Sequence, residues 1–232
     1  MDKSVYVREM FAAIAPRYDR ANRLLTAGVD EAWRRRAVSE LAAPHGGHVL
    51  DLCCGTGDLV FHLLRTDPDL TVTGIDFTPP MLEGARTRAS RGEDTKRRAT
   101  FVEGDVTRLP FDDAAFDGAT MGFSMRNVVD IGGALREARR VLKPGARFVN
   151  LDVTKPPHPL VRRLFGWYFY RIVPLVGGLV GGSRAAYAYL PNSLTNFPDA
   201  DALAGHFRDA GFHDVRFVRL GFGAIALHVG TA

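Results

Sequence analysis

Val49-Leu50-Asp51-Leu52-Cys53-Cys54-Gly55-Thr56-Gly57-Asp58 runs from an apolar stretch through an acid to two glycines spaced G-x-G and a second acid. The short apolar run reads as a buried parallel strand ending near Leu52, followed by a sharp turn and a helix starting near Asp58. Glycine has no Cβ, so the backbone of such a turn can approach a ligand closely. About twenty residues further on, Val72-Thr73-Gly74-Ile75-Asp76 ends the next predicted strand in another acid. In α/β proteins that spacing grips a nucleoside, with the glycine turn against one part and a carboxylate on the ribose hydroxyls.

The details narrow the nucleoside. A dinucleotide site carries a third glycine, G-x-G-x-x-G, and a helix N-terminus open to a pyrophosphate. Here the third position is Val60, and Asp58 stands where phosphate would be repelled. No G-K-[ST] follows the glycines, so a P-loop is excluded. An acid on each side of the turn suits a ligand with a cationic part and no phosphate. S-adenosylmethionine, with its sulfonium, ammonium and adenosine, fits best; a purely structural turn is the plain alternative. Phe101-Val102-Glu103-Gly104-Asp105-Val106 ends a further strand in an acid. A carboxylate there can accept from the adenine amino group while a neighbouring backbone N–H meets a ring nitrogen.

Apolar runs at Val49–Leu52, Thr71–Ile75, Thr100–Val102, Phe116–Met121 and Arg147–Leu151 alternate with helical stretches. One of these is Asp130 to Leu142, whose Leu135, Ala138, Val141 and Leu142 share a face until Lys143-Pro144-Gly145 ends it. Such alternation predicts a parallel sheet covered by helices, with ligands at the carboxyl ends of the strands. Ahead of it, helices are expected from Arg8 to Ala15, up to a break at Pro16, and over Trp33 to Leu41. Behind it come a helix from Asp201 to Ala210 and strands near His213–Leu220 and Ala224–Val229. The region Pro156 to Pro198 departs from this rhythm: aromatic and apolar, flanked by arginines, broken by Arg171 and Pro174 and short for a membrane span. It suits an interfacial or lid helix handling an apolar ligand, or equally an ordinary helix capping the sheet.

The 232 residues carry a net charge of +4. The basic clusters Arg34-Arg35-Arg36, Lys96-Arg97-Arg98 and Arg162-Arg163 read as solvated faces, with an anionic partner as the lesser alternative. Cys53 and Cys54 are adjacent, so they suit neither a disulfide framework nor a metal site, and no metal is expected. The start, Met1-Asp2-Lys3-Ser4, has no secretory apolar run, which points to a cytoplasmic setting. After the strand at Phe116, the N/D-P-P-aromatic loop of many base-directed amino methyltransferases is missing, which argues against nucleic acid.

Longer signatures go further. Tyr18-Asp19-Arg20-Ala21-Asn22 through Asp30-Glu31-Ala32-Trp33, Arg140-Val141-Leu142-Lys143-Pro144-Gly145 through Asp152-Val153-Thr154, Arg126-Asn127-Val128, Tyr187-Ala188-Tyr189-Leu190-Pro191-Asn192-Ser193 and Ala226-Leu227-His228 together resemble the UbiE/MenG family of quinone C-methyltransferases over nearly the whole chain. The departures are Ala21 for a Met, Asp30 for a His, Ala146 for a Gly, Asp152 for a Glu and Thr154 for a Ser. Gly122 also replaces a serine that contacts the cofactor.

The resemblance implies a class I S-adenosylmethionine-dependent methyltransferase: α/β, Rossmann-like, with a seven-stranded, mostly parallel sheet whose last strand is inserted antiparallel. One domain, 1–232, would carry an N-terminal helical lid (1–45) and a helical substrate-side insertion (156–198). Thr56, Asp76, Asp105 and Val106 would bind the cofactor, with Asp51, Gly55 and Gly57 shaping the pocket and Phe77 and Gly122 completing it. The implied reaction is C-methylation of a prenylated quinol, demethylmenaquinol to menaquinol, with a ubiquinone-pathway benzoquinol or a soluble phenol as alternatives. Arg126 with Asn127, after the strand running under the methyl group, forms the expected polar centre, joined by Tyr18 of the lid; Asp152, Tyr189 and His228 are weaker candidates. The resemblance further implies a cytoplasmic enzyme with peripheral contact at the inner face of the membrane, and it leaves the oligomeric state open.

Overall fold

In the computed structural model, His48–Leu52 (β1), Thr71–Asp76 (β2), Ala99–Glu103 (β3), Phe116–Gly122 (β4), Leu142–Val153 (β5), His213–Leu220 (β6) and Ile225–Thr231 (β7) form one sheet, ordered β3-β2-β1-β4-β5-β7-β6. The structure describes residues 3–232, excepting the side chains of Arg184 and Ala185, so Met1 and Asp2 of the expected lid lie outside the described residues. Strands β1 to β5 pair in parallel, while β7 runs antiparallel between β5 and β6. The strand order reverses at β1, which pairs with β2 on one side and β4 on the other. Asp51 thus stands opposite both Gly74 and Thr120, at the place where parallel sheets open a ligand crevice.

The helices follow from their apolar faces. Ile131–Val141 buries Ala134, Leu135, Ala138 and Val141, and its N-terminus is capped by the Asp130 carboxylate accepting from Gly133 N–H at 2.8 Å. It packs with helix Ala200–Asp209 over β5 and β7, where the Phe148 ring stacks on Phe207 at 5.4 Å and on Phe212 at 5.8 Å. At the N-terminus, Lys3–Ile14, Tyr18–Leu25 and Asp30–Leu41 are helical, and Pro16 sits in a single 3₁₀ turn between the first two.

Three expectations need correction. Strand β5 begins at Leu142, before Arg147, because Leu142 still pairs with Phe116 across an irregularity and Gly145 N–H reaches Ala232 O at 3.0 Å. The arginine runs are not uniformly solvated. Arg34 is buried against Asp30 and Asp58, and the Arg98 guanidinium donates to the carbonyls of Leu64, Asp67 and Leu70 at 3.0–3.2 Å. Nor do Arg171 and Pro174 break the apolar segment. Pro159–Gly181 is one run of 23 residues, long and apolar enough to cross a membrane by length and composition, with a π-helical stretch at Tyr168–Ile172. That wide turn admits Pro174, whose missing N–H cannot complete a regular ladder.

Helix Arg184–Thr195 returns beside the Val173–Gly181 end of that run, and the joint between them is specific. Tyr187 is fully buried, lying across Gly177 and Gly181, which are four residues apart and so share a helix face. A Cβ at either glycine would fall 2.2 Å from the ring. Gly177→Ala should therefore overpack this joint and cost about 1–3 kcal/mol. The check is a lowered thermal unfolding midpoint with the circular dichroism of the sheet retained.

Candidate active site

The turn after β1 is built from left-handed residues: Cys53 (φ 53°), Gly55 (φ 54°) and Gly57 (φ 86°). Such a φ costs a non-glycine residue about 1–2 kcal/mol, so Cys53 must be held there by its neighbours. Gly57 is required on two counts. Its φ is positive, and a Cβ would lie 2.9 Å from the Phe61 ring, which also carries the Arg88 guanidinium 4.5 Å above it. Cys54 packs where a Cβ on Gly74 would meet its Sγ at 2.8 Å, so the cysteines fill space, and both are free thiols.

The Asp76 carboxylate holds the turn in place. One oxygen accepts Gly55 N–H at 2.9 Å and the other accepts Thr78 N–H at 2.8 Å. Burial raises its pKa, and these backbone donors pull the other way. The same carboxylate lines the cleft. Asp51 accepts from the Thr120 hydroxyl at 2.7 Å, and its pKa is pushed up to about 7 by burial, reinforced by the nearby Asp76 and Asp58 charges.

Asp58 plays a different part from the one its sequence position suggested. It is gripped by Arg88 at 2.8 Å and Arg34 at 3.2 Å. Burial alone would raise its pKa, but these two guanidinium groups hold it below the usual range. Its charge is therefore already matched, unlike those of Asp51 and Asp76, which also line the cleft. Arg34 lies 5.0 Å over the Phe123 ring, linking the helix Asp30–Leu41 to the end of β4. Arg88 also reaches Thr56 O at 3.0 Å, and Asp19 accepts from the Thr56 hydroxyl at 2.6 Å, which ties the N-terminal helices to the glycine turn.

These groups surround one cleft. The structure brings Asp51, Gly55, Thr56, Asp76 and Phe77 to one side of it. Asp105, Val106, Gly122, Asn127 and Tyr18 complete the wall, while Gly57 and Arg126 stand behind it. Asp105 is exposed at the mouth, one oxygen fixed at 2.8 Å from both the N–H and the hydroxyl of Thr107. At Gly122, a Cβ would lie 2.7 Å from Leu59, so Leu59 occupies the room a serine would need. A hydroxyl is present two residues on, where Ser124 also lines the cleft and donates to Gly122 O at 3.0 Å.

Beyond Phe123, itself left-handed at φ 58°, the chain curls through a 3₁₀ turn at Met125–Asn127. Arg126 is buried there. Its guanidinium donates to Asp152 at the end of β5 and to Phe123 O at 2.6 Å, and its N–H donates to the second Asp152 oxygen at 3.2 Å. The Asp that replaces a longer Glu is thus the partner that holds this arginine. Burial raises the Tyr18 and Tyr189 phenols, and the Arg126 charge pulls both down, so one cation serves both. Asn127 Oδ1 and the Tyr189 hydroxyl are buried with no hydrogen-bond partner among the described residues. His228 lies apart, packed beneath helix Ala200–Asp209, with its Nε2 2.8 Å from Ala200 O. Sequence reasoning missed Arg34, Arg88, Thr78 and Ser124, since nothing local marks an arginine in a basic run as buried.

The comparisons now place the chain. It matches the ubiE/COQ5 methyltransferase family over residues 1–232. The chain belongs to this family. A demethylmenaquinone methyltransferase of Thermus thermophilus is 46% identical over 222 residues, 95% of this chain and 99% of that protein. Another, from a Roseiflexus species, is 44% identical over 228 residues, 98% of this chain and 94% of that one. A ubiquinone/menaquinone biosynthesis C-methyltransferase of a Geobacter species is 40% identical, covering 99% and 97%. Among solved structures, a Thermotoga maritima S-adenosylmethionine-dependent methyltransferase shares the fold with a TM-score of 0.66 at 21% identity, covering 97% of this chain and 99% of that one. The chain is thus an S-adenosylmethionine-dependent methyltransferase with the expected fold.

Two outcomes test this geometry. Asp76→Ala should weaken cofactor binding by about 1–3 kcal/mol in calorimetry, since the group it served is left unpaired; unchanged affinity would remove Asp76 from the ribose. For Asp51, the neutral carboxyl is favoured in the fold, so its stabilisation is complete below 3.8, its ordinary pKa, and is lost as pH rises toward about 7. The ligand-free protein should lose up to about 1.4 kcal/mol per pH unit from this group across that window. Thermal midpoints against pH check it: Asp51→Asn should flatten the slope, and parallel curves would refute the shift.

Proposed function

We propose that this methyltransferase acts on a ring carbon of a prenylated quinol, converting demethylmenaquinol to menaquinol. The names carried by its relatives support the substrate class. The observation that carries the reading is a buried cation, Arg126, held by Asp152 just behind the wall of a nucleoside cleft, next in sequence to Asn127, whose buried amide oxygen has no hydrogen-bond partner among the described residues. A benzoquinol is the second reading, favoured by the relatives whose names include ubiquinone.

The cleft suits the cofactor. The close backbone at Gly55, the carboxylate of Asp76 and the Asp105–Val106 strand end match ribose and adenine, and Thr56 and Phe77 close the sides. Bound there, S-adenosylmethionine supplies an electrophilic methyl group on its sulfonium. Asp51 faces the cationic end of the ligand, and Gly57 and Gly122 keep the walls thin. Asn127 Oδ1 accepts the quinol hydroxyl and so orients the ring. Arg126 stays protonated at neutral pH, so it favours the phenolate, whose ortho carbon is then nucleophilic. Tyr18, its phenol kept neutral by burial, donates from the other side. The helices up to residue 45 act as a lid latched by Asp19 and Thr56, excluding water and fixing the reacting groups in line. The segment 156–198 handles the prenyl tail, and the protein works as a peripheral enzyme at the cytoplasmic face of a membrane.

Arg126→Ala should lower turnover about a hundredfold while cofactor affinity stays near normal. Because removing one partner of a buried pair costs about 3–5 kcal/mol of stability, Arg126→Lys provides the control that keeps the charge. Methyl transfer to short-chain demethylmenaquinol and to the matching benzoquinol is the assay. Methylation of neither would sink the quinol reading, and a loss confined to cofactor binding would misplace Arg126.

A further inference from the structure

We propose that the helical run Pro159–Gly181 lies flat on an anionic bilayer and is the docking surface of this protein. Leu160, Leu164, Trp167, Leu175 and Leu179 follow one another at helical spacing, with Arg171 between them on the same line. All five are half or more exposed, from 51% at Leu175 to 78% at Leu179. A helix facing water turns polar residues outward; here the outward stripe is leucine and tryptophan. Phe222, 91% exposed, extends the apolar surface from the neighbouring turn, where a Cβ on Gly223 would touch Pro157 at 2.8 Å.

Charge decides the occupant. No acid stands between Asp152 and Asp199, while Lys155, Arg162, Arg163, Arg171 and Arg184 do, although the whole chain has a net charge of only +4. A second copy docking through the same face would set bases against bases, because a twofold interface pairs a patch with itself. Anionic headgroups complement it instead, and long arginines reach them while their stems stay in the apolar layer. Crossing the membrane would drag Arg162, Arg163 and Arg171 into hydrocarbon, which disfavours a span. The surface also adjoins the site: Val173–Gly181 packs on Tyr18–Leu25, and the Tyr168 hydroxyl donates to Leu25 O. A tail-bearing substrate would therefore enter from the bilayer one helix away from Tyr18; this purpose, though not the docking itself, rests on the quinol reading.

Co-sedimentation tests the surface with no substrate present, using vesicles of phosphatidylcholine alone and of phosphatidylcholine mixed equally with phosphatidylglycerol. The wild type should bind the mixed vesicles about tenfold or more tightly than the neutral ones, and less so as salt rises. Leu164→Ser, Trp167→Ser and Leu179→Ser combined should abolish binding to both, with unchanged circular dichroism. Arg162→Glu with Arg163→Glu should remove the preference for anionic lipid. Wild-type binding by the triple variant would overturn the proposal. So would a wild-type dimer that the triple variant converts to monomer, since a second copy would then cover the face. Vesicle binding without methylation of any quinol would instead overturn the substrate and leave the docking surface standing.

Discussion

Two backbone N–H groups share the carboxylate of Asp76, and the rest of the site is arranged around that pairing. Gly55 belongs to the turn after β1 and Thr78 begins the helix after β2, so one side chain locks two strand ends together. A buried carboxylate is costly unless its lone pairs are used. Here backbone N–H groups use them, at the wall of the cleft. That constraint also explains the turn. To present Gly55 N–H to Asp76 the chain passes through left-handed conformations at Cys53, Gly55 and Gly57, two of which only glycine takes without strain.

A second layer of charge keeps that arrangement rigid. Asp58 sits between Arg34 and Arg88, and those two arginines come from helices on different sides of the turn. Removing either would leave Asp58 part-buried and less than fully matched. The same logic recurs at the end of β4, where Asp152 holds Arg126 behind the cleft wall. All three arginines are paired with protein carboxylates, which fixes their position. Asp51, which accepts from the Thr120 hydroxyl, is left to respond to pH and ligand.

Much of this was legible beforehand. The apolar runs marked β1, β2 and β4 to within a residue at each end, because a strand buried on both faces must be apolar throughout. Asp51, Thr56, Asp76, Asp105 and Val106 reach the cleft because carboxyl ends of parallel strands converge at the reversal of order. Arg34 and Arg98 look solvated in the sequence because a run of arginines carries no mark of which member turns inward; neighbouring helix positions point about 100° apart, so one can be buried while the next is exposed. Pro174 read as a break, yet a π-helical stretch accommodates it, a choice made by packing on Tyr18–Leu25 and Arg184–Thr195.

The chain alone determined the strand pattern, the glycine turn and the acids at the strand ends, since each follows from local geometry and from the need to bury apolar side chains. Only the tertiary structure decided which charges are matched. It spread Asp58 across two arginines, set Asp152 on Arg126, and put Leu59 into the room that a serine at position 122 would need. It also turned the apolar line of Pro159–Gly181 outward. Those outcomes depend on residues distant in sequence meeting in space, and a side chain's partner is fixed by packing, not by its neighbours along the chain.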